Sequence, residues 1–373
     1  MAEKDYNGQL NGLKNMPVCN AFNNHMCITV AGSWRPCCRF NGFPHVDITK
    51  TSFTEYQQSD FYQGVVNNMT TGWDEGCKKC MKEEERGHTS LRQVLNKEFS
   101  GTTDLEYIEL SLSNKCNLAC KMCAPTYSTL WNKLVEQNLE LKKYHHTVVQ
   151  PKIDVPSIFA DVNLHKLKKI KYLGGEPFIT PETKQLFEYL DYHDVIKNIE
   201  LECNTNCTLF PKKWLSTLEK FKKVTIELSI DGIGNVNDYV RHGKTWNTVD
   251  NVTQQWANYA AETDIDMAIY STVQAYNLHD MKNVKSYAKS LGFNHYSSLL
   301  VVPEYLSVHV LPEEYLEQIK DDYNQKYYAS IEHNQMFDKF KDFTLNIDKV
   351  TGLSLSEVNP LLSQYMEKQD EYT

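Results

Sequence analysis

Residues 105–123 read LEYIELSLSNKCNLACKMC. An apolar run ending in a polar turn carries the chain into three thiols, Cys116, Cys120 and Cys123, spaced C-x3-C-x2-C. Thiolates are the soft ligands that iron–sulfur clusters prefer. Three of them can hold three irons of a cubane and leave the fourth iron open. An open iron can chelate a small molecule, which separates a reactive cluster from an electron carrier. The spacing alone also fits zinc.

Around this stretch the chain reads as an ordinary globular protein. It has 373 residues, 41% hydrophobic and 23% charged, enough to bury one large core with appendages. No apolar run approaches a membrane span, and MAEKDYNGQL lacks the apolar core of a signal peptide. Eleven cysteines without a secretory signal argue for a reducing compartment, so a cytoplasmic location and no membrane partner are expected. The net charge of −9 is uneven: residues 304–373 hold fourteen acids against six lysines, and the rest is close to neutral. No global basic footprint exists, so a nucleic-acid partner is not favoured.

From residue 104 onward, strands alternate with helices. Expected strands are Leu105–Ser113, Lys168–Leu173, Asn198–Cys203, Lys222–Ile230, Asp264–Val273 and Phe293–Val302. Helical stretches between them are Tyr127–Lys143, Ser157–Leu167, Pro181–Tyr192, Pro211–Phe221, Thr248–Glu262 and Leu278–Leu291. This alternation predicts an α/β fold with a parallel sheet. In α/β barrels the chemistry sits at the C-terminal strand ends, and here each end carries something unusual. The second strand runs into Gly174-Gly175-Glu176-Pro177, where two glycines permit close backbone approach. The third gives CNTNC, Cys203 to Cys207, and the fourth Ser229-Ile230-Asp231-Gly232 with Arg241 beyond. Cys203 and Cys207 read either as buried residues or as hydrogen-atom donors.

Cys116, Cys120 and Cys123 after a strand, with Gly174–Pro177 after the next, resemble the radical S-adenosylmethionine (radical SAM) superfamily. The resemblance spans about residues 17–303 and implies a partial (β/α)6 TIM-type barrel. It also implies a 4Fe–4S cluster on the three cysteines whose open iron binds S-adenosylmethionine, cleaved to a 5′-deoxyadenosyl radical. By the same resemblance Gly174, Gly175, Glu176 and Pro177 contact the SAM amino group, and Asn204, Thr205 and Asn206 reach the ribose. Ser229 and Arg241 hold the carboxylate, a task suited to the guanidinium fork. Val273 and the Ser271–Gln274 segment contact adenosine. Met122 stands where the family often has an aromatic residue and still covers the cluster. Asp231 is either a SAM ligand or a base, and is placed with the catalytic residues.

Residues 17–87 contain six of the eleven cysteines. HMCITVAGSWRPCCRF reads as a β-hairpin around a Gly-Ser turn, and residues 52–70 as one or two short helices. Cys19, Cys37, Cys77 and Cys80 suit tetrahedral zinc. Cys19-x12-Gly32-x4-Cys37, then helix, then Cys77-x2-Cys80 also resembles the twitch module, the short form of the SPASM domain. That resemblance implies an auxiliary 4Fe–4S or 2Fe–2S cluster on these four cysteines, although such modules usually follow the barrel. Cys38 should face away from Cys37, and Cys27, inside the hairpin's first strand, reads as a small buried hydrophobe.

The expected organisation is a tail (1–16), a twitch-like module (17–87), a connector with a Leu91/Val94/Leu95 stripe (88–103), a barrel (104–303) and an acidic helical extension (304–373). His145-His146, Lys168–Lys169 and Lys222–Lys223 are expected to be solvated. The extension's Leu311, Tyr315 and Ile319 form one stripe expected to pack on the barrel. The expected activity is radical oxidation or cross-linking of a peptide or protein side chain or a small molecule, fed by flavodoxin or ferredoxin. Nucleotide or RNA modification is the alternative enzyme, and a non-catalytic iron–sulfur or zinc protein the alternative of another class.

Overall fold

The computed structural model describes residues 17–99, 101, 104–323 and 335–368; the tail 1–16 and parts of the connector and extension lie outside them. Ten strands organise the chain. They are β1 (His25–Ile28), β2 (Trp34–Arg35), β3 (Tyr107–Ser111), β4 (Ala119–Cys120), β5 (Lys169–Leu173), β6 (Glu200–Thr205), β7 (Lys223–Ser229), β8 (Arg241–His242), β9 (Asp266–Val273) and β10 (Asn294–Leu299). Eight of these form one sheet in the order β10-β9-β7-β6-β5-β3-β1-β2. From β10 to β1 every neighbour is parallel, and only β2 runs antiparallel, at the edge.

Two faces can be told apart along each strand. Ile170, Tyr172, Leu201, Cys203, Val224, Ile226 and Leu228 alternate into the layer beneath the helices and are buried. The residues between them point the other way and are polar. Lys171 of β5 reaches Glu227 of β7 across the intervening β6, at 3.4 Å. Side chains two strands apart meet only on a concave face, so the sheet curls into an open, partial barrel with a polar lumen.

Three expectations change. The hairpin does not stand apart from the barrel: β1 pairs in register with β3, His25 opposite Tyr107 and Cys27 opposite Glu109, and extends the main sheet. A contact about eighty residues away along the chain has no local signature, which is why the hairpin reads as separate. Lys169 is not solvated; it lies in the lumen, 3.2 Å from Glu202. Ser157–Leu167 is not one helix but a turn at Val155–Ile158 and a 3-10 turn at Leu164–Lys166. Asp161, between them, accepts a hydrogen bond from the Thr54 amide instead of serving a helix.

The connector holds the helix Leu91–Glu98, closed at its start by a Ser90/Gln93 capping box. Leu95 of its expected stripe is buried, whereas Val94 is exposed. In the extension Leu311, Tyr315 and Ile319 are buried. The helix Phe337–Thr351 lays Phe340 against the Tyr276 ring, 5.1 Å between centroids. His145 is half-buried between the Trp131 and Phe343 rings, where burial pushes its imidazole down to about 4. No helix among the described residues is long and apolar enough to cross a membrane.

Candidate active site

The loop after β3 carries Cys116, Cys120 and Cys123, and backbone contacts hold it from several sides. β4 pairs antiparallel with β8, setting Cys120 opposite Arg241. The Trp131 indole donates to the Cys120 carbonyl at 2.7 Å, and the Cys123 amide to the same carbonyl at 2.8 Å. Asn206 leans on the first thiol, its Nδ2 lying 3.7 Å from Cys116 Sγ and 2.9 Å from Asn117 Oδ1. The three cysteines then open onto one cleft of about 330 Å³ at the C-terminal ends of the strands. Met122, Gly174, Gly175, Asn204, Asn206, Ser229 and Arg241 line it with them.

Burial raises all three thiols, Cys123 to about 12, so they ionise only with a positive partner beside them. Iron is such a partner. Arg241 supplies some positive charge; its Nη1 donates to Asp231 at 2.6 Å, while its Nε is buried without a partner. Asn204 Oδ1 is likewise buried and unpaired. A cleft with three thiols, an unspent guanidinium edge and a free amide oxygen fits an iron–sulfur cluster with an amino-acid-bearing ligand.

Four predicted residues stand elsewhere than expected. Glu176 turns inward, accepting from the Asn206 amide at 2.7 Å, Thr205 Oγ1 at 2.9 Å and the Phe178 amide at 3.3 Å. Pro177, also buried, starts the 3-10 turn Pro177–Ile179. The two glycines are demanded chiefly by the cluster loop. A Cβ on Gly174 would meet Ser113 O at 2.7 Å, and one on Gly175 would meet Lys115 O at 2.4 Å. Asp231 is buried behind the cleft, accepting from Arg241 and from the Thr272 amide at 2.7 Å. Val273 faces the helices, and its neighbour Thr272 lines the cleft instead.

Thr205 and Thr272, from two of the expected segments, line it as well, with Leu118, Leu173 and Tyr127, which the sequence does not single out. Strand parity could have found Thr272, two residues beyond Tyr270, the partner of Ser229. Cys203 and Cys207 are both fully buried and do not line the cleft.

A second convergence lies in the N-terminal region. Cys19, Cys37, Cys77 and Cys80 line one small pocket together with Phe22, Phe40, Met69, Trp73, Leu95, Arg39 and Arg92. Burial raises Cys19 and Cys77 to about 12 and lifts Cys80 as well, and the two arginines oppose the rise at Cys19 and Cys80. Gly76, before Cys77, leaves room for the Phe40 ring, which a Cβ would meet at 2.3 Å. Cys38 does not line this pocket; its side chain neighbours Cys27, Cys37 and Glu109.

Residues 110–269 match the family model of the radical SAM superfamily. A 4Fe–4S cluster and S-adenosylmethionine are implied with it. Two curated relatives are GTP 3′,8-cyclases. That of Desulforamulus reducens is 24% identical over 143 residues, 38% of this chain and 39% of the relative. That of Aquifex aeolicus is 25% identical over 129 residues, 33% of this chain and 35% of the relative. The chain thus spans about two fifths or less of the length of these relatives. Among solved structures, native anSMEcpe with bound AdoMet and Cp18Cys peptide is 18% identical, with a TM-score of 0.38 over 67% of this chain and 62% of that one. Streptococcus suis SuiB bound to S-adenosylmethionine is 14% identical, with a TM-score of 0.35 over 78% and 61%.

Proposed function

We propose that the chain is a radical SAM enzyme that oxidises or cross-links a peptide or protein side chain or a small molecule. The observation that carries this reading is the pairing of two thiol sites of different valence. Cys116, Cys120 and Cys123 leave one cluster position for a ligand, whereas Cys19, Cys37, Cys77 and Cys80 would satisfy an auxiliary cluster completely. When bound, the first cluster and S-adenosylmethionine supply a carbon-centred radical for hydrogen abstraction. A fully ligated second cluster suits an electron acceptor, which net oxidation of a substrate requires.

The chain's own groups divide the remaining work. Arg241, steadied by Asp231, offers its free edge to the carboxylate of the bound SAM. Asn206 holds Cys116, and Met122 shields the cluster side of the cleft. Below the cleft the lumen is lined by Lys171, Glu202, Glu227 and Asn204, which receive the substrate. A flavodoxin or ferredoxin would deliver the reducing electron.

The names of the curated relatives favour a second reading, a nucleotide substrate. Against it, the lumen lysines are already engaged: Lys169 lies 3.2 Å from Glu202, and Lys171 pairs with Glu202 and Glu227. A polyphosphate would have to displace these carboxylates.

The test uses anaerobically reconstituted protein with S-adenosylmethionine and dithionite. Expected are about eight irons per chain for two cubanes, and 5′-deoxyadenosine that disappears in Cys120→Ala. Stoichiometric zinc in place of iron, with no 5′-deoxyadenosine, would overturn the reading. Faster 5′-deoxyadenosine release with GTP than with peptides would select the second reading.

A further inference from the structure

The polar lumen holds a group of ligand atoms that neither thiol site uses. His25 and Cys27 sit two apart on β1 and therefore point to the same side, toward Glu109 on the adjacent β3. His25 Nε2, Cys27 Sγ and a Glu109 carboxylate oxygen all lie within 4.8 Å of one another, and all three residues are buried. His25 Nε2 is 3.6 Å from Cys27 Sγ and 3.1 Å from Glu109 Oε1. Cys38, from the chain leaving β2, lies beside the group but outside this radius.

These separations are those of ligands on one ion. With Zn–N near 2.0 Å and Zn–S near 2.3 Å, tetrahedral geometry sets neighbouring ligand atoms about 3.3 to 3.6 Å apart. The thiols of a cubane stand on different irons and must be spread wider. Among the described residues, no other three His, Cys, Asp or Glu residues come this close, the cysteines of both cluster sites included. Without a cation the group is costly, because a carboxylate, an imidazole and a thiol share a dry interior. Lys171, opposite Glu109 on β5, is already paired with Glu202 and Glu227.

We infer that His25, Cys27 and Glu109 form a mononuclear site for a borderline-soft divalent cation, zinc(II), on the lumen face of β1 and β3. One nitrogen, one sulfur and one carboxylate oxygen supply three positions of a tetrahedral shell, with water as the fourth. Tyr107 Oη, 3.2 Å from Glu109 Oε1, supplies the outer hydrogen bond that fixes a ligating carboxylate. The ion would tie β1 to β3. The inference does not depend on the substrate or on radical activity.

The test takes iron–sulfur-loaded protein, grown with zinc and purified without chelator, and counts metals by plasma mass spectrometry. One zinc per chain is expected beside the iron. Cobalt(II), supplied in place of zinc during growth, should show the intense ligand-field bands of a tetrahedral site and a thiolate charge-transfer band. Cys27→Ser and His25→Gln should lose the zinc and keep at least the Cys116/Cys120/Cys123 iron. Cys77→Ser should lose auxiliary iron and keep the zinc. Absence of both zinc and cobalt from cluster-loaded wild type overturns the inference, with no variant needed. Zinc that departs with Cys77→Ser but stays in Cys27→Ser overturns it equally, by locating the ion in the four-cysteine pocket.

Discussion

Lys121 Nζ lies 2.8 Å from Asp348 Oδ1, joining the cluster loop to the helix Phe337–Thr351, 227 residues later in the chain. Lys121 stands between Cys120 and Cys123 with a wholly buried side chain, its ammonium 3.8 Å from the Tyr239 ring centroid. Burial outweighs the carboxylate and pushes the amine down to about 8. The C-terminal extension is therefore part of what holds the cluster loop. Removing one partner of a buried pair leaves the other uncompensated, at a cost of about 3–5 kcal/mol. Asp348→Asn is expected to lower the unfolding free energy by that much and to shed iron on dilution. Replacing both partners, Lys121→Met with Asp348→Leu, should recover most of the loss.

Gly175 sets a second constraint on the same loop. Its amide donates to Ser113 O at 2.8 Å, and a Cβ there would strike Lys115 O at 2.4 Å. Backbone cannot step aside as a flexible side chain can, so Gly175→Ala should displace the segment just before Cys116. An overpacking cost of about 1–3 kcal/mol is expected, with less than full iron occupancy after reconstitution. Full occupancy and an unchanged melting curve would show that the loop has slack.

Glu176 makes stability depend on pH. Burial pushes its carboxyl up to about 7, against the hydrogen bonds from Asn206, Thr205 and Phe178 that hold it down. A carboxyl raised in the folded state binds more protons folded than unfolded, so its contribution is full below about 4.5 and lost as pH climbs through about 7. At about 1.4 kcal/mol per pH unit of displacement, wild type should lose roughly 3 kcal/mol across that window relative to Glu176→Gln. Denaturant midpoints of the two cluster-loaded proteins, measured without S-adenosylmethionine from pH 5 to 8, check it. Parallel pH curves would refute it.

Local spacing made much of this architecture readable, and non-local pairing hid the rest. Cys116, Cys120 and Cys123 share one loop, so eight residues sufficed to predict a common ligand. Lys169 looked solvated because a lysine pair usually is; only the curl of the sheet brings Glu202 against it. Asp231 read as reactive because nothing near it in sequence occupies a carboxylate. Its partners, Arg241 on β8 and the Thr272 amide on β9, arrive through tertiary structure. Within Ser271–Gln274 it is Thr272 and not Val273 that lines the cleft, a distinction only the strand register makes, since a one-residue shift reverses it. Cys27 is buried, as a cysteine in a strand usually is, and Glu109, its neighbour on β3, stands too far along the chain to be read beside it.

The Arg241–Asp231 pair allows binding and catalysis to be separated. Arg241 spends Nη1 on Asp231 and keeps Nε, buried and unpaired, beside the three thiols. A lysine could serve Asp231 or a ligand carboxylate, but not both with a fixed fork. Losing one charge-assisted hydrogen bond costs about 1.5–3 kcal/mol, so Arg241→Lys should weaken S-adenosylmethionine binding at least about tenfold. Iron content should stay full, since the cysteines are untouched. Asp231→Asn tests the other half. As a positioning residue, Asp231 should affect binding less than Arg241 does, and turnover at saturating S-adenosylmethionine should largely survive. Equilibrium dialysis on cluster-loaded protein measures the first quantity and 5′-deoxyadenosine formation the second. Unaltered binding in Arg241→Lys would remove the guanidinium from the ligand site. Intact binding with abolished turnover in Asp231→Asn would instead return that carboxylate to the chemistry, through a movement that frees it from Thr272.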